Sequence, residues 1–170
     1  MKLKQFIYKK VNSTNDSAIR IIKNSNNDAG IVIADSQKKG RGRYGKKWIS
    51  YKGNLFVTIF FNLKRNKISL KKMTYINCSL VKKLLSLYYK KKIIIKRPND
   101  LLVDKKKISG ILQEIIKKDE HKFLLIGIGI NLVKNPNFGN YPSTNLENII
   151  KKKINKKQMI LRLKKIYENF

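Results

Sequence analysis

Residues 38–48 read Lys-Lys-Gly-Arg-Gly-Arg-Tyr-Gly-Lys-Lys-Trp, with Gly40, Gly42 and Gly45 at the spacing G-x-G-x-x-G. Where that spacing follows a strand directly and opens a helix, it marks a dinucleotide-binding turn and imposes a doubly wound parallel sheet. Here four residues separate the strand-like IVIAD (31–35) from Gly40, and Trp48 leads through Tyr51-Lys52-Gly53 into a second strand-like run, NLFVTIFF (54–61). No helix begins where a pyrophosphate would need helical N–H groups, so the dinucleotide reading fails on context. An RNA-binding Gly/Arg tract would need repetition with aromatic interleaving, and only one copy is present. The third reading is a loop whose glycines leave it flexible when empty and whose Arg41 and Arg43 offer charged forks to a phosphate or carboxylate. Such a loop would order over an anionic intermediate and exclude water from it.

Outward from this loop, the elements alternate in type. LKQFIY (3–8) reads as a short strand. Ser13-Thr14-Asn15-Asp16 starts a helix carrying Ala18, Ile19, Ile21 and Ile22, which Asp28-Ala29-Gly30 breaks. Apolar residues at helical spacing predict a long amphipathic helix over 71–89. IIIK (93–96) is a strand that stops at Arg97-Pro98. LLV (101–103) and KISGILQEII (107–116) flank Asp104-Lys105-Lys106 as a hairpin, and FLLIGIGI (123–130) is a buried strand. From Ser143, Thr144 and Glu147 stand at capping-box spacing, and two helices are expected up to Phe170. Strands in hairpins with helices packed on them indicate an α+β fold with a mixed, largely antiparallel sheet.

The bulk composition sets limits. The chain has 170 residues, 42% of them hydrophobic, enough for one core and one domain over 1–170. One cysteine, Cys78, excludes an internal disulfide, and one histidine, His121, leaves a zinc site or a Ser-His-Asp triad poorly supplied. No metal-ligating residues are expected. No apolar run approaches a membrane span and the N-terminus lacks a signal region, so a cytoplasmic setting without membrane partners is expected. The net charge is +30, from 40 Lys+Arg against 10 Asp+Glu, yet only six of the basic residues are arginine. Lys, Asn and Ile share A/T-rich codons, so compositional drift accounts for the excess; a polyanion-binding surface is the competing reading.

Two further constellations lie near each other in the predicted hairpin. Lys96-Arg97-Pro98-Asn99-Asp100 ends a strand, with Asn99 and Asp100 at an exposed turn that on its own could be an ordinary Asx turn. Lys107 opens the next strand, where its ammonium could reach that turn or simply be solvated. In GIGIN (127–131) the glycines either let a ligand approach the strand or accommodate packing.

In order, Ser13-Thr14-Asn15, ADSQKKGRGRYGKKW (34–48), GNL (53–55), KRPNDL (96–101), KISGILQE (107–114) and GIGIN (127–131) resemble the catalytic domain of biotin protein ligases. The resemblance implies an enzyme that makes biotinyl-5′-adenylate from biotin and ATP and passes the acyl group to one lysine of the biotin carboxyl carrier protein of acetyl-CoA carboxylase. It implies that Ser13, Thr14, Asn15 and Gln37 line a biotin pocket and that Arg41, Gly42 and Arg43 close over biotin and the adenylate phosphate. Lys107 would meet the biotin carboxylate and the α-phosphate. Asn99 and Asn131 would lie on the adenine side, and Asp100 near the incoming lysine. Mg2+ would arrive with ATP, held mainly by phosphates and water.

The resemblance has three departures. Arg97 stands where these enzymes usually carry Trp. Only twelve residues precede Ser13, too few for the DNA-binding winged helix of some members, so no specific DNA binding is expected. The chain also ends too soon after GIGIN for the SH3-like C-terminal domain that most members carry, and the expected form is a monomer or homodimer. Alternatives are a lipoate or octanoate ligase of the same fold, or a basic RNA-binding module.

Overall fold

The computed structural model describes residues 1–63, 69–136 and 141–170. The chain opens with β1 (Lys4–Val11), α1 (Thr14–Asn24) and β2 (Ala29–Gln37), and α1 carries the chain across so that β1 and β2 pair in parallel. Every later pairing is antiparallel: β3 (Leu55–Asn62) with β2 and with β7 (His121–Ile130), β6 (Lys106–Lys118) with β7, and β5 (Asp100–Val103) with β6 and with β4 (Ile94–Lys96). The described strands form one mixed sheet ordered β1-β2-β3-β7-β6-β5-β4. This is the α+β, largely antiparallel architecture expected.

Both faces of the sheet are covered, which is why its central strands read as continuous apolar runs rather than alternating ones. On one face, Ala18 and Ile22 of α1 pack over Val32, Phe60, Phe123 and Leu125. On the other, α2 (Leu70–Ser86) and α4 (Lys156–Glu168) cover Ile31, Ile33, Val57, Ile59, Ile126 and Ile128. Burying each such side chain contributes about 1.5–3 kcal/mol. Tyr167 of α4 is fully buried, and its hydroxyl donates to Asn77 Oδ1 of α2 at 3.2 Å.

Local signals set the element ends, with four corrections. The break after α1 comes at Ser25 and not at Gly30. Gly30 already lies in β2, where a Cβ would meet the Phe60 ring at 2.5 Å. The strand predicted at 3–8 runs on to Val11, because β2 offers it partners as far as Gln37. The helix predicted to 89 ends at Ser86, and Leu87 turns out to solvent. The capping box at Thr144 and Glu147 does not form, because Thr144 N–H is already bonded to the Lys107 carbonyl. Asn145 caps α3 (Leu146–Ile150) instead, accepting from Asn148 N–H at 2.9 Å, and Glu147 accepts from Ile154 N–H. The β5–β6 hairpin is as expected, with Asp104 and Lys105 both at positive φ.

Candidate active site

Distant parts of the chain converge on a cavity of about 750 Å³, within the range typical of small-molecule sites. Its walls come from the N-terminus of α1, the end of β2, the 40–48 loop, the turn before β5, and the facing strands β6 and β7. Ser13, Thr14, Asn15, Gln37, Arg41, Gly42, Arg43, Asn99, Asp100 and Lys107 all line it. Asn131 does not.

One end is a chain of hydrogen bonds among nearly buried groups. The Ser13 hydroxyl caps α1, accepting from Asn15 N–H at 3.2 Å. Gln37 Oε1 accepts from Thr14 N–H at 2.8 Å, while Gln37 Nε2 donates to Ser50 Oγ at 3.0 Å. The Thr58 hydroxyl, fully buried on β3, lies 2.8 Å from Thr14 Oγ1 and 2.5 Å from Asn15 Oδ1. Asn15 Nδ2 donates to Glu114 Oε2 at 2.6 Å. This fixes the amide's orientation. Gly127 makes it possible, since a Cβ there would overlap Asn15 Oδ1.

The 40–48 loop is a small hairpin closed by bridging between Arg41 and Lys47 and by Trp48 N–H to Gly40 C=O at 2.9 Å. The expectation that its glycines serve flexibility needs correcting at Gly40, where a Cβ would strike the Trp48 carbonyl. Close packing demands that glycine. Only a three-residue 3-10 turn (Arg43–Gly45) occurs here, so the loop opens no helix. Arg41 Nη2 pairs with Asp16 Oδ1 at 3.0 Å and Glu114 Oε2 at 2.8 Å, bracing the loop against α1 and β6. Arg43 reaches the other way, donating to Asn99 Oδ1 at 3.4 Å and Tyr44 Oη at 2.8 Å.

At the opposite end Lys107 Nζ lies 2.7 Å from Asp100 Oδ1, both side chains mostly buried. The contact is an ion pair, and buried Oδ1 has no other polar partner. A register shift at Leu101/Leu102 re-aims this part of β6. Lys107 is further fixed through its backbone, by Pro142 C=O and Thr144 N–H, each at 2.9 Å. Its ammonium sits 5.3 Å from the Trp48 ring centroid and 5.4 Å from that of Tyr141. The Tyr141 hydroxyl donates to Asp100 Oδ2 at 2.6 Å. Burial, then the bond to Asp100 and its charge, push that phenol up to about 12. Lys107, Arg41 and Arg43, with Lys46 and Lys47 also on the wall and Asp100 the one carboxylate, can draw two anions together.

Asn131 is buried at the end of β7, its Nδ2 donating to Thr144 C=O at 3.1 Å and reaching toward Lys107 C=O at 3.5 Å. There it ties the 143–144 segment to β6. Its Oδ1, like Trp48 Nε1, is buried with no protein partner. Sequence reasoning missed Thr58, Glu114, Trp48 and Tyr141 as site groups. Trp48 had a signal: in GIGIN and KISGIL, Gly129 and Gly110 both vacate the space its indole fills. The glycines of GIGIN thus accommodate site side chains, Asn15 and Trp48. Tyr141 had none, since the sequence before it shows no periodicity.

Known proteins resemble this chain in both sequence and fold. Residues 7–131 match the Biotin/lipoate A/B protein ligase family. The bifunctional ligase/repressor BirA of Escherichia coli (strain K12) is 32% identical over 125 residues, which cover 72% of this chain and 38% of that protein. The biotin–[acetyl-CoA-carboxylase] ligase of Paracoccus denitrificans is 28% identical over 133 residues, 76% of this chain and 55% of that one. The chain therefore spans about two fifths to just over half of the length of these two relatives. Among solved structures, the biotin protein ligase from Aquifex aeolicus in complex with biotin and ATP superposes with a TM-score of 0.82 at 32% identity, covering 98% of this chain and 69% of that one. A family match over most of the chain, supported by that superposition, identifies the protein as a member of the biotin/lipoate A/B protein ligase family.

Proposed function

We propose that the protein activates biotin with ATP as biotinyl-5′-adenylate and transfers the acyl group to a lysine of the biotin carboxyl carrier protein of acetyl-CoA carboxylase, acting as a single catalytic domain. The observation that carries this is one cavity with an ordered polar end at Ser13–Asn15 and Gln37 and a cationic end at Lys107 and Arg43. The polar end suits a neutral ureido ring, which needs both donors and acceptors at fixed positions. The cationic end suits the carboxylate and the α-phosphate, two anions that repel each other unless cations lie between them.

In the first half-reaction Lys107 and Arg43 hold the carboxylate oxygen against the α-phosphorus, and the closed loop keeps water from the adenylate. Asp100 balances Lys107 and faces the acceptor amine in the second half-reaction. Asn99, at the cavity wall, and Asn131, through its unpaired Oδ1, bind the base, and the Trp48 ring supplies an aromatic surface for it. Among the described residues no cluster of three His, Cys, Asp or Glu could hold a resident metal ion. Asp100 alone fits a Mg2+ ion that arrives on ATP with most of its shell from phosphate and water.

The direct test is to incubate the chain with biotin, Mg-ATP and a carrier domain, and to look for a biotin-sized mass gain on one lysine. No gain with folded protein and a cognate carrier refutes the reading. If lipoate competes against biotin and is itself transferred, the substrate is lipoate.

A further inference from the structure

We propose that a second cavity, of about 700 Å³ beside the first, receives pyrophosphate as the leaving group of adenylate formation. This rests on the ligase reading above. Arg43, Asn99 and Ile111 line both cavities, so the two share a wall at the cationic end of the site. The polar end does not reach it: none of Ser13, Thr14, Asn15 and Gln37 lines the second cavity.

The charge pattern of this cavity differs from that of the first. Lys71 and Lys72 from the start of α2, Arg97 from the turn before β5, and Arg43 from the loop line it, and no Asp or Glu does. In the first cavity Arg41 is paired with Asp16 and Glu114, and Lys107 with Asp100. Among the described residues, Lys71, Lys72 and Arg97 have no carboxylate within ion-pair distance. The Arg97 guanidinium lies 5.7 Å from the centroid of the Tyr75 ring, which also lines the cavity. Two of the chain's six arginines meet here, so the excess of lysine in the composition does not by itself produce the pattern.

Adenylate formation requires such a place. A carboxylate oxygen of biotin bonds to the α-phosphorus, the α–β phosphoanhydride P–O bond breaks, and its electron pair leaves on pyrophosphate. With attack and departure in line, the leaving group moves away from the biotin end, past Arg43. Unpaired cations beside that path stabilise the charge developing on the leaving oxygen and then hold the product.

The test is calorimetric titration of the full chain with inorganic pyrophosphate and MgCl2 at about 0.15 M salt, where surface charge is largely screened beyond roughly 8 Å. Arg97→Gln and the double variant Lys71→Gln/Lys72→Gln should each weaken pyrophosphate binding by about tenfold or more while biotin binds as in the parent. Lys152→Gln/Lys153→Gln, an exposed pair that lines neither cavity, should change it less than about twofold. Parental affinity in the first two variants, or an equal loss in the third, overturns the assignment. Biotin-dependent pyrophosphate release, read on the same samples, separates the two proposals. A parent that binds pyrophosphate here but releases none with biotin refutes both the ligase reading and the leaving-group role. A parent that releases it, with binding unaffected by the cavity variants, refutes the cavity alone.

Discussion

Thr58→Val is the sharpest probe of how the site is held together. Thr58 touches no cavity wall, yet its hydroxyl meets Thr14 Oγ1 at 2.8 Å and Asn15 Oδ1 at 2.5 Å. Valine keeps the shape and removes the donor. That leaves the Asn15 carbonyl oxygen, on a residue only 3% exposed, without its partner. A stranded buried acceptor costs about 1–3 kcal/mol, so unfolding in urea should shift by about 1.5 kcal/mol with an unchanged m-value. Asn15 would also lose the contact that, with Glu114, fixes its amide. Biotin affinity measured by calorimetry should therefore fall about tenfold, equivalent to about 1.4 kcal/mol. Thr58→Ser separates the two effects: it keeps the hydroxyl and loses one buried methyl, about 1 kcal/mol of stability, with biotin affinity within about twofold of the parent. If Thr58→Val binds biotin as the parent does, or if Thr58→Ser loses as much affinity as valine, the hydrogen-bond chain does not organise the pocket.

Gly129→Ala would drive a Cβ into the indole of Trp48, the chain's one tryptophan, so fluorescence emission should shift red and nucleotide affinity fall about tenfold; unchanged emission would show that the indole is not seated there. Lys107→Ala should suppress biotin-dependent pyrophosphate release, whereas Arg43→Ala should still form adenylate but leak it to solution, detected as free biotinyl-5′-adenylate by mass spectrometry. Parental behaviour in both would show that the assigned roles are wrong. Cys78 is buried and its thiol is pushed up to about 11, first by desolvation and then by the Asp100 charge. At pH 8 only about one thiol in a thousand is ionised, so labelling should be at least about a hundredfold slower than in urea-unfolded protein. Rapid labelling of the native chain would contradict that burial.

The Arg41 and Arg43 pair illustrates the limit of reading a site from sequence. Both were legible as anion-seeking arginines in a glycine loop, and both line the cavity. Their division of labour was not legible, because it depends on carboxylates at Asp16 and at Glu114, 73 residues from Arg41 in the chain. The same holds for Asn15, whose partner Glu114 is 99 residues away. Asn131 lay in a motif whose resemblance put it on the adenine side, but that its Nδ2 is held by the backbone of Lys107 and Thr144 while its Oδ1 has no protein partner was not legible.

Features set within a few residues were determined by the sequence itself. These were the Ser13 cap, the apolar strand runs, the Asp104-Lys105 turn, and the failure of G-x-G-x-x-G to open a helix. Each follows from side-chain chemistry and backbone sterics acting over one or two turns of chain. The tertiary structure alone decided the parallel pairing of β1 with β2, the 2.7 Å contact of Lys107 with Asp100, and the space Gly127 and Gly129 leave for Asn15 and Trp48. These depend on which distant segments the sheet brings together. A strand's own periodicity carries no record of its neighbour, whereas the folded sheet fixes the register to within one residue.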